Sequence, residues 1–413
     1  MSGFGRELWF LWRDRAAKVW LLIGFTAASL AVVFGLQEIA AQRDTIERLK
    51  AADEVERAVT TEAHRDSWGS AAYYTFHLTY DAPGDFAFAA LGQRDASPWK
   101  HRIRMLALEG QIHETDAANP DFALIGRFDF AFVAAMLAPL ILIMLLHDLR
   151  SGERASGRYD LLSATSADAR VLWFSRAAWR VGALAAALLV PLWVAGFVSG
   201  SGAPALLGAS AALLAHLLFW WAVIAVVHTR TWTSTVNVTA LVGLWLAFAV
   251  VAPAAITAGV DAAITVPDGG DIMLTQREAV NDAWDLPKEA TMAPFVERHP
   301  DLEPYAEIEG TFEWKWYYAF QQVGDQVAEP LSVAYREGRV RRDGLAGQLA
   351  WLSPPAKLER ALQRLADTDA AAALHYEDEV RAFHAGLRAF HYPPMFKGEP
   401  VTDAMLAQRP TFD

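Results

Sequence analysis

The 413-residue chain contains no cysteine, which excludes disulfide bonds, thiolate metal ligands and cysteine nucleophiles. It also lacks the G-x-x-x-x-G-K-[ST], H-E-x-x-H and G-x-S-x-G patterns of phosphate-binding loops, zinc proteases and serine hydrolases. Its net charge of −12 argues against nucleic acid as a partner. We therefore expect no catalytic residue, no metal and no directly bound cofactor in this chain.

Charged residues are absent from four long stretches, Val19–Leu36, Phe130–Leu146, Val181–Thr229 and Thr231–Val260. Apolar residues make up 54% of the chain, and they are concentrated in these stretches. An uncharged apolar helix of about 18 or more residues can cross the roughly 30 Å hydrocarbon core of a bilayer. The pattern predicts an all-α polytopic membrane protein rather than a large α/β enzyme with buried helices.

Glycine and proline divide these stretches further. The SGSGAP turn at Ser199–Pro204 splits the third stretch into two spans. Pro139, Pro191 and Pro253 fall inside spans, where neighbouring groups can satisfy the carbonyl groups that the prolines free. The predicted organisation is an interfacial helix at 1–18, spans at 19–36, 129–147, 181–198, 205–227 and 235–260, a loop at 148–180, and large, mostly helical regions at 37–128 and 261–413.

Basic residues in the short loops predict the orientation of the chain. Four of them precede the first span, and the 148–180 loop contains six arginines, whereas the turn at Ser199–Pro204 has none. Short loops rich in lysine and arginine favour the cytoplasmic side of the membrane. We therefore expect a cytoplasmic N-terminus and loop, with the two large regions on the outer side.

Polar candidates inside the spans are few. The spans contain no Asp, Glu, Lys or Arg, which argues against a carrier driven by protons or sodium ions. His216 and Asn237 remain as candidate residues of a transport path. The alternative is that each forms a hydrogen bond to a neighbouring helix.

The loop after the second span resembles the coupling loop of ABC-2 type permeases. The resemblance is carried by Glu153-Arg154-Ala155-Ser156-Gly157, by Leu161-Leu162-Ser163, and by the basic stretch Arg170–Arg180 that enters the third span. It implies an ABC-2 type helical bundle in which this loop holds a coupling helix that packs on a partner ATPase. Glu153 and Arg154 would meet complementary charges, Gly157 and Ser163 belong to the motif, and Leu161 and Leu162 would be apolar anchors.

A narrower resemblance is to the permease branch that carries a DUF3526 region. It rests on ALGQRDASPW, on Gln111–Pro120, on Gly126–Asp148, on Trp351–Ala366, and on the HYPP motif at His391–Pro394. It implies a permease subunit of an exporter in a bacterial inner membrane, paired with an identical or paralogous permease and surrounded by the lipid bilayer. ATP and Mg²⁺ would bind to the partner ATPase and not to this chain.

The number of spans departs from the pattern of that superfamily, which normally has six. No sixth apolar run follows span five before Asp413, so we expect either a truncated chain or a bundle that closes differently. Two other functions stay open. One is a non-transporting membrane scaffold or a sensor with a ligand-binding region outside the membrane, and the other is a lipid-modifying membrane enzyme, for which the sequence shows no catalytic cluster.

Overall fold

Five helices in the described residues, which are 3–114, 128–166 and 168–412, are long and apolar enough to cross a membrane. They are Arg15–Ala63, Phe130–Ala155, Ala169–Ser199, Ala203–Val227 and Ser234–Ala263. About 78% of this computed structural model is helical. These features fit the predicted all-α membrane protein, and each predicted span overlaps one of the five helices. Parts of the predicted 37–128 region and of the Gln111–Pro120 and Gly126–Asp148 motifs lie outside the described residues.

The first two helices, α1 (Gly3–Arg13) and α2 (Arg15–Ala63), meet at Asp14. The Asp14 carboxylate accepts a hydrogen bond from the Ala17 N–H at 3.1 Å and so caps the start of α2. α2 has 49 residues, or about 73 Å, because no glycine or proline interrupts it after Gly35. The helix of span 1 therefore continues well beyond the membrane. The exposed apolar residues of α1, which suit a membrane interface, are Leu8, Trp9, Phe10 and Trp12.

The other long helices complete the bundle. α5 consists of Phe130–Phe132, a π-helical turn at Val133–Leu137, and Ala138–Leu146. α8 is Ala169–Ser199 and α9 is Ala203–Val227. α10 consists of Ser234–Leu246, a π-helical turn at Ala247–Val251, and Ala252–Ala263. Gly200 ends α8 with φ at 81°, a left-handed conformation that glycine adopts without strain. The end of the bundle with α1 and residues 148–180 is here named the loop end, and the opposite end the domain end.

The π-helical turn of α5 directly precedes Pro139, whose ring nitrogen cannot donate a hydrogen bond. In this turn the Met136 carbonyl accepts a hydrogen bond from the indole of Trp245 at 3.1 Å. Trp245 lies on α10, so the hydrogen bond also fastens span 5 to span 2.

The π-helical turn of α10 precedes Pro253 in the same way. Within it the Ala252 N–H bonds to the Ala247 carbonyl, five residues earlier. Continuing that pattern would require a donor at Pro253 for the Phe248 carbonyl, and proline has none. The hydroxyl of Ser353 donates to this carbonyl at 2.7 Å. The donor thus comes from the region that the sequence placed wholly outside the membrane.

Ser353 belongs to a helical hairpin that enters the bundle from the domain end. The hairpin consists of α13 (Trp314–Leu349), a 3₁₀ turn (Ala350–Leu352) and α14 (Pro354–Leu365). Ser353, at the tip of the hairpin, contacts Phe248, which lies 15 residues before the end of α10 at Ala263. The tip therefore extends about 22 Å into the bundle from that end. The apolar face of α14 shares one core with the spans through Leu358, Leu362 and Ala366.

An ion pair between the two arms stabilises the hairpin. The Arg360 guanidinium of α14 lies 2.7 Å from the Asp343 carboxylate of α13. The same guanidinium also donates to the Asp343 carbonyl at 3.0 Å. Gly208 on α9 lets α14 approach closely, since a Cβ there would lie only 3.1 Å from Leu365. Part of the 261–413 region therefore packs inside the bundle of apolar helices.

Residues 64–114 and 264–412 pack together at the domain end. Within the described residues the sheet is one antiparallel pair, β1 (His77–Tyr80) and β2 (Lys100–Ile103), with His77 opposite Ile103. The remaining helices are α3 (Trp68–Tyr74), α4 (Glu109–His113), α11 (Gly269–Asp282), α12 (Lys288–Arg298), α15 (Ala370–Lys397) and α16 (Asp403–Leu406), and 3₁₀ turns lie at Ala87–Ala89, Gly92–Asp95 and Pro300–Tyr305. The two regions predicted as separate thus form one domain.

Buried ion pairs join the two parts of this domain. Glu109 on α4 accepts hydrogen bonds from Arg381 at 2.9 and 3.1 Å, and Asp325 lies 2.7 Å from Arg388. Burial favours the neutral acid, but the Arg381 and Ser332 hydrogen bonds hold the pKa of Glu109 below its usual value. The Glu109–Arg381 pair crosses between the two parts, and Asp325, which pairs with Arg388 inside the 264–412 part, accepts a hydrogen bond from the Leu108 N–H of the other part at 2.8 Å.

Replacing Ser353 with alanine should destabilise the protein, because it removes both the donor to Phe248 and the cap of α14. We expect a loss of about 2 kcal/mol in thermal unfolding of the detergent-solubilised protein. The S353T variant keeps the hydroxyl and should lose less. Equal midpoints for wild type and S353A would contradict the role given to this hydroxyl.

Acid should destabilise the domain through its buried histidines. Burial lowers the pKa of both His101 and His391 to about 4, whereas an unfolded chain protonates histidine near 6.5. Below pH 6.5 the unfolded state therefore binds protons that the folded state does not, and stability falls as the pH drops towards 4. Each histidine contributes about 1.4 kcal/mol per pH unit in this window.

Thermal unfolding measured at pH 7.5, 6 and 5 tests this pH dependence. The H391F variant should show a weaker loss of stability on acidification than the wild type. H375F provides a matched control, because it makes the same substitution at an exposed histidine. An H391F slope equal to that of the wild type would contradict the prediction.

Candidate coupling site

Two short helices form the loop between spans 2 and 3. They are α6 (Ser151–Ala155) and α7 (Tyr159–Thr165), and the turn between them contains Gly157 with φ at 69°. A side chain at this position would be strained by the backbone and would contact nothing within 4 Å. The predicted coupling motif thus occupies both helices and the turn that joins them.

Glu153 is paired within the chain. Its carboxylate accepts a hydrogen bond from Arg158 at 2.8 Å and one from Arg176 at 3.1 Å. Arg176, on α8, also donates to Glu7 of α1 at 2.7 Å, and Glu7 is only 2% exposed. A chain of charges therefore connects α1, α6 and the base of span 3. Contact of Glu153 with an ATPase stays a prediction, and any such contact would compete with these pairs.

Aromatic rings hold α7 against α8. The rings of Tyr159 and Trp173 are stacked, with centroids 5.2 Å apart and an interplanar angle of 10°. The Arg154 guanidinium covers the outer face of Tyr159 at 4.7 Å, and that of Arg176 lies 5.2 Å from Trp173. Arg154 therefore stabilises the loop itself, and its contact with a partner stays a prediction.

The outward face of α7 is uncovered. Leu161 is 65% exposed, whereas Leu162 and Ser163 are partly buried. Ser163 has a buried hydroxyl with no partner among the described residues. The exposed residues that share the outward face are Asp160, Leu161, Ala164 and Thr165. Of the two predicted apolar anchors, Leu161 is therefore the more accessible.

Asn237 lies at the loop end and not along a path through the bundle. Its amide donates to the His147 carbonyl at 3.2 Å and to the Ser151 hydroxyl at 3.3 Å. Ser151 also shares a hydrogen bond of 2.8 Å with Ser234. Because Ser151 begins α6 and Ser234 begins α10, these contacts attach the loop directly to span 5.

His216 lies elsewhere in the bundle. It is 4% exposed, and its ring interacts with backbone groups of Ala135 and Pro354. Its Nε2 atom is buried without a hydrogen-bond partner in the described parts of the chain. The structure therefore does not bring His216 and Asn237 together. Both contact neighbouring helices, which was the alternative considered from the sequence.

Glu7, Ser151 and Ser234 are among the residues of the site that escaped sequence reasoning. Glu7 is a lone acid in a basic, tryptophan-rich helix, and that exception was the available signal. The two serines gave none, because serine is common at helix starts for local reasons.

Residues 272–413 match the family model described as a domain of unknown function, DUF3526. The match begins within α11 and includes the membrane-entering hairpin and α15. It confirms the DUF3526 part of the resemblance. Neither the curated proteins nor the solved structures gave a significant match to the chain.

The pair between Glu153 and Arg176 should couple the loop to span 3 energetically. In a double-mutant cycle, E153Q and R176Q should each destabilise the protein, and the double variant should lose less than the sum. We expect an interaction energy of about 1–3 kcal/mol, because both side chains are mostly buried. The exposed pair Glu62–Arg65 is the control and should give below about 1 kcal/mol. Additive effects for Glu153 and Arg176 would show that the two do not act together.

Proposed function

We propose that this chain is the transmembrane permease subunit of an ATP-driven ABC-2 type exporter in a bacterial inner membrane. The observation that carries the proposal is the construction of the 148–180 loop. The loop exposes Leu161 on a short helix and is attached to three parts of the bundle. A loop of this kind can receive force from a partner and pass it to the spans.

The proposed mechanism begins with a partner ATPase that packs on the outward face of α7. ATP and Mg²⁺ bind to that subunit and supply the energy. Movement of α7 carries α6 with it, because a single turn at Gly157 joins the two helices. Glu153 then displaces Arg176 and span 3, and Ser151 displaces span 5. The spans exchange between two packings whose populations the ATPase shifts.

The arrangement of the rest of the molecule follows from this proposal. The loop end with the N-terminus faces the cytoplasm, and the domain faces the outer side. A second permease subunit, identical or paralogous, packs on span 5. Support for that contact comes from the exposure of α10. Only 11% of its most apolar 18-residue segment is buried, which is the lowest share among the five helices. α14 fills part of the place of a sixth span, and the chain itself catalyses no reaction.

Replacing Leu161 with aspartate should uncouple the permease from its ATPase. The change places a charge in an apolar contact, but Leu161 is exposed in this subunit, so folding should be unaffected. Co-purification of the partner ATPase from the native host should fall at least tenfold. V55D introduces the same charge at an exposed valine of α2 beyond the membrane, and it should leave the complex intact.

Two results would contradict the proposal. One is the absence of any ATPase in complexes isolated with the wild-type chain. The other is an L161D variant that binds the ATPase, and stimulates its ATP hydrolysis, to the same extent as V55D. Co-purification is compared at matched amounts of folded L161D and V55D protein. An equal loss of thermal stability in these two variants therefore does not affect the comparison.

A second candidate function is a non-transporting sensor, and one cavity favours it. The cavity measures about 600 Å³ and lies between the facing sides of α13 and α15 in the domain. Its wall contains both Asp325–Arg388 and Glu109–Arg381, so its charges are balanced. A sensor would bind a ligand there without an ATPase, and isolation of the chain with a ligand but no ATPase would favour this function.

A further inference from the structure

A second cavity lies at the loop end, where spans 2, 3 and 4 separate. It measures about 460 Å³, within the range of small-molecule sites in proteins. One wall is a face of α8 with Trp173, Phe174 and Ala177, and the other is a face of α9 with Leu218 and Trp221. Both walls are apolar, and they belong to helices that are long and apolar enough to cross a membrane.

Two arginines, Arg150 and Arg170, line this cavity beside its apolar walls. Neither side chain forms an ion pair or a hydrogen bond with another side chain in the described parts of the chain, although both lie in a loop rich in such pairs. By contrast, Arg158 and Arg176 bind Glu153, and Arg180 binds Asp14 at 3.0 Å. The cavity therefore holds two cations whose charges the protein does not neutralise.

We propose that this cavity binds an anionic phospholipid. The phosphate of the head group lies between Arg150 and Arg170, and an acyl chain follows Phe174, Leu218 and Trp221. The basis is the combination of uncompensated cations with an apolar, aromatic-lined groove at the level where lipid head groups meet their chains. The site goes beyond the proposed function, because it is separate from the outward face of α7 and needs no ATPase.

Other occupants fit the charges less well. An amphipathic helix of a protein would need acidic side chains set among apolar ones inside the membrane, where such charges are costly. A second copy of this chain would bring arginines against arginines if the same face were used twice. A lipid supplies the negative charge and the acyl chain in one molecule.

Native mass spectrometry of the full-length protein in detergent can test the proposal. Phosphatidylglycerol and phosphatidylcholine with identical acyl chains are titrated into delipidated protein. The wild type should bind phosphatidylglycerol at least tenfold more tightly. The R150Q/R170Q variant should lose about 30-fold in affinity for phosphatidylglycerol and little for phosphatidylcholine. Glycerol phosphate, which lacks acyl chains, should not compete.

Two further variants separate this site from general attraction of lipids to basic residues. R15Q/K18Q removes two exposed positive charges at the same end of the bundle but outside the cavity, and should change the affinity less than twofold. A222W fills the cavity from an exposed lining position with all charges kept, and should reduce binding of phosphatidylglycerol at least fivefold.

The proposal is overturned by any of three outcomes. R15Q/K18Q could weaken binding as much as R150Q/R170Q, which would show a diffuse basic surface. Glycerol phosphate could displace the lipid, which would show a site for soluble phosphate. Binding could also persist in A222W with an unchanged melting temperature, which would show that the lipid lies elsewhere.

Discussion

Proline at positions 139 and 253 leaves main-chain carbonyl groups without their helical donors inside membrane-spanning helices. Hydrocarbon offers no water to replace those donors, so protein groups must supply them. The Trp245 indole donates to the Met136 carbonyl in the π-helical turn before Pro139, and the Ser353 hydroxyl supplies a donor for the Phe248 carbonyl. The first hydrogen bond holds spans 2 and 5 together, and the second holds the hairpin inside the bundle. Much of the arrangement at the domain end depends on this requirement.

The hairpin and the loop sit at opposite ends of the same helices. At the loop end, Ser234 and Asn237 hold the first turn of α10 to α6. Phe248, 14 residues after Ser234 on the same helix, accepts a hydrogen bond from Ser353. α10 therefore connects the cytoplasm-facing loop of the proposed exporter to the part of the chain that leads into the outer domain. Both contacts are made by small polar side chains.

Sequence reasoning succeeded where one local property decides the structure. A stretch of about 18 residues without charged side chains predicts a membrane-spanning helix. The SGSGAP turn, where Gly200 adopts a positive φ, marks the boundary between two such helices. Sequence reasoning failed where segments that are distant along the chain determine the structure together. Nothing in α14 distinguishes a helix on a water-exposed surface from one packed on α9, because both are amphipathic. Likewise the partner of Glu153 could not be chosen among many nearby arginines, since pairing depends on how α1, α6 and α8 converge.

The position of α14 also sets an order of assembly. Span 5 ends at Ala263, and α14 is complete only when Leu365 has been synthesised, about 100 residues later. At about 5–20 residues per second, the ribosome needs roughly 5 to 20 seconds for that length. During this interval the five spans are already made, but the groove on α9 is empty and the Phe248 carbonyl has no donor. The nascent bundle must therefore persist in the membrane as an incomplete intermediate, open to chaperones or to lipid, until its own downstream sequence closes it.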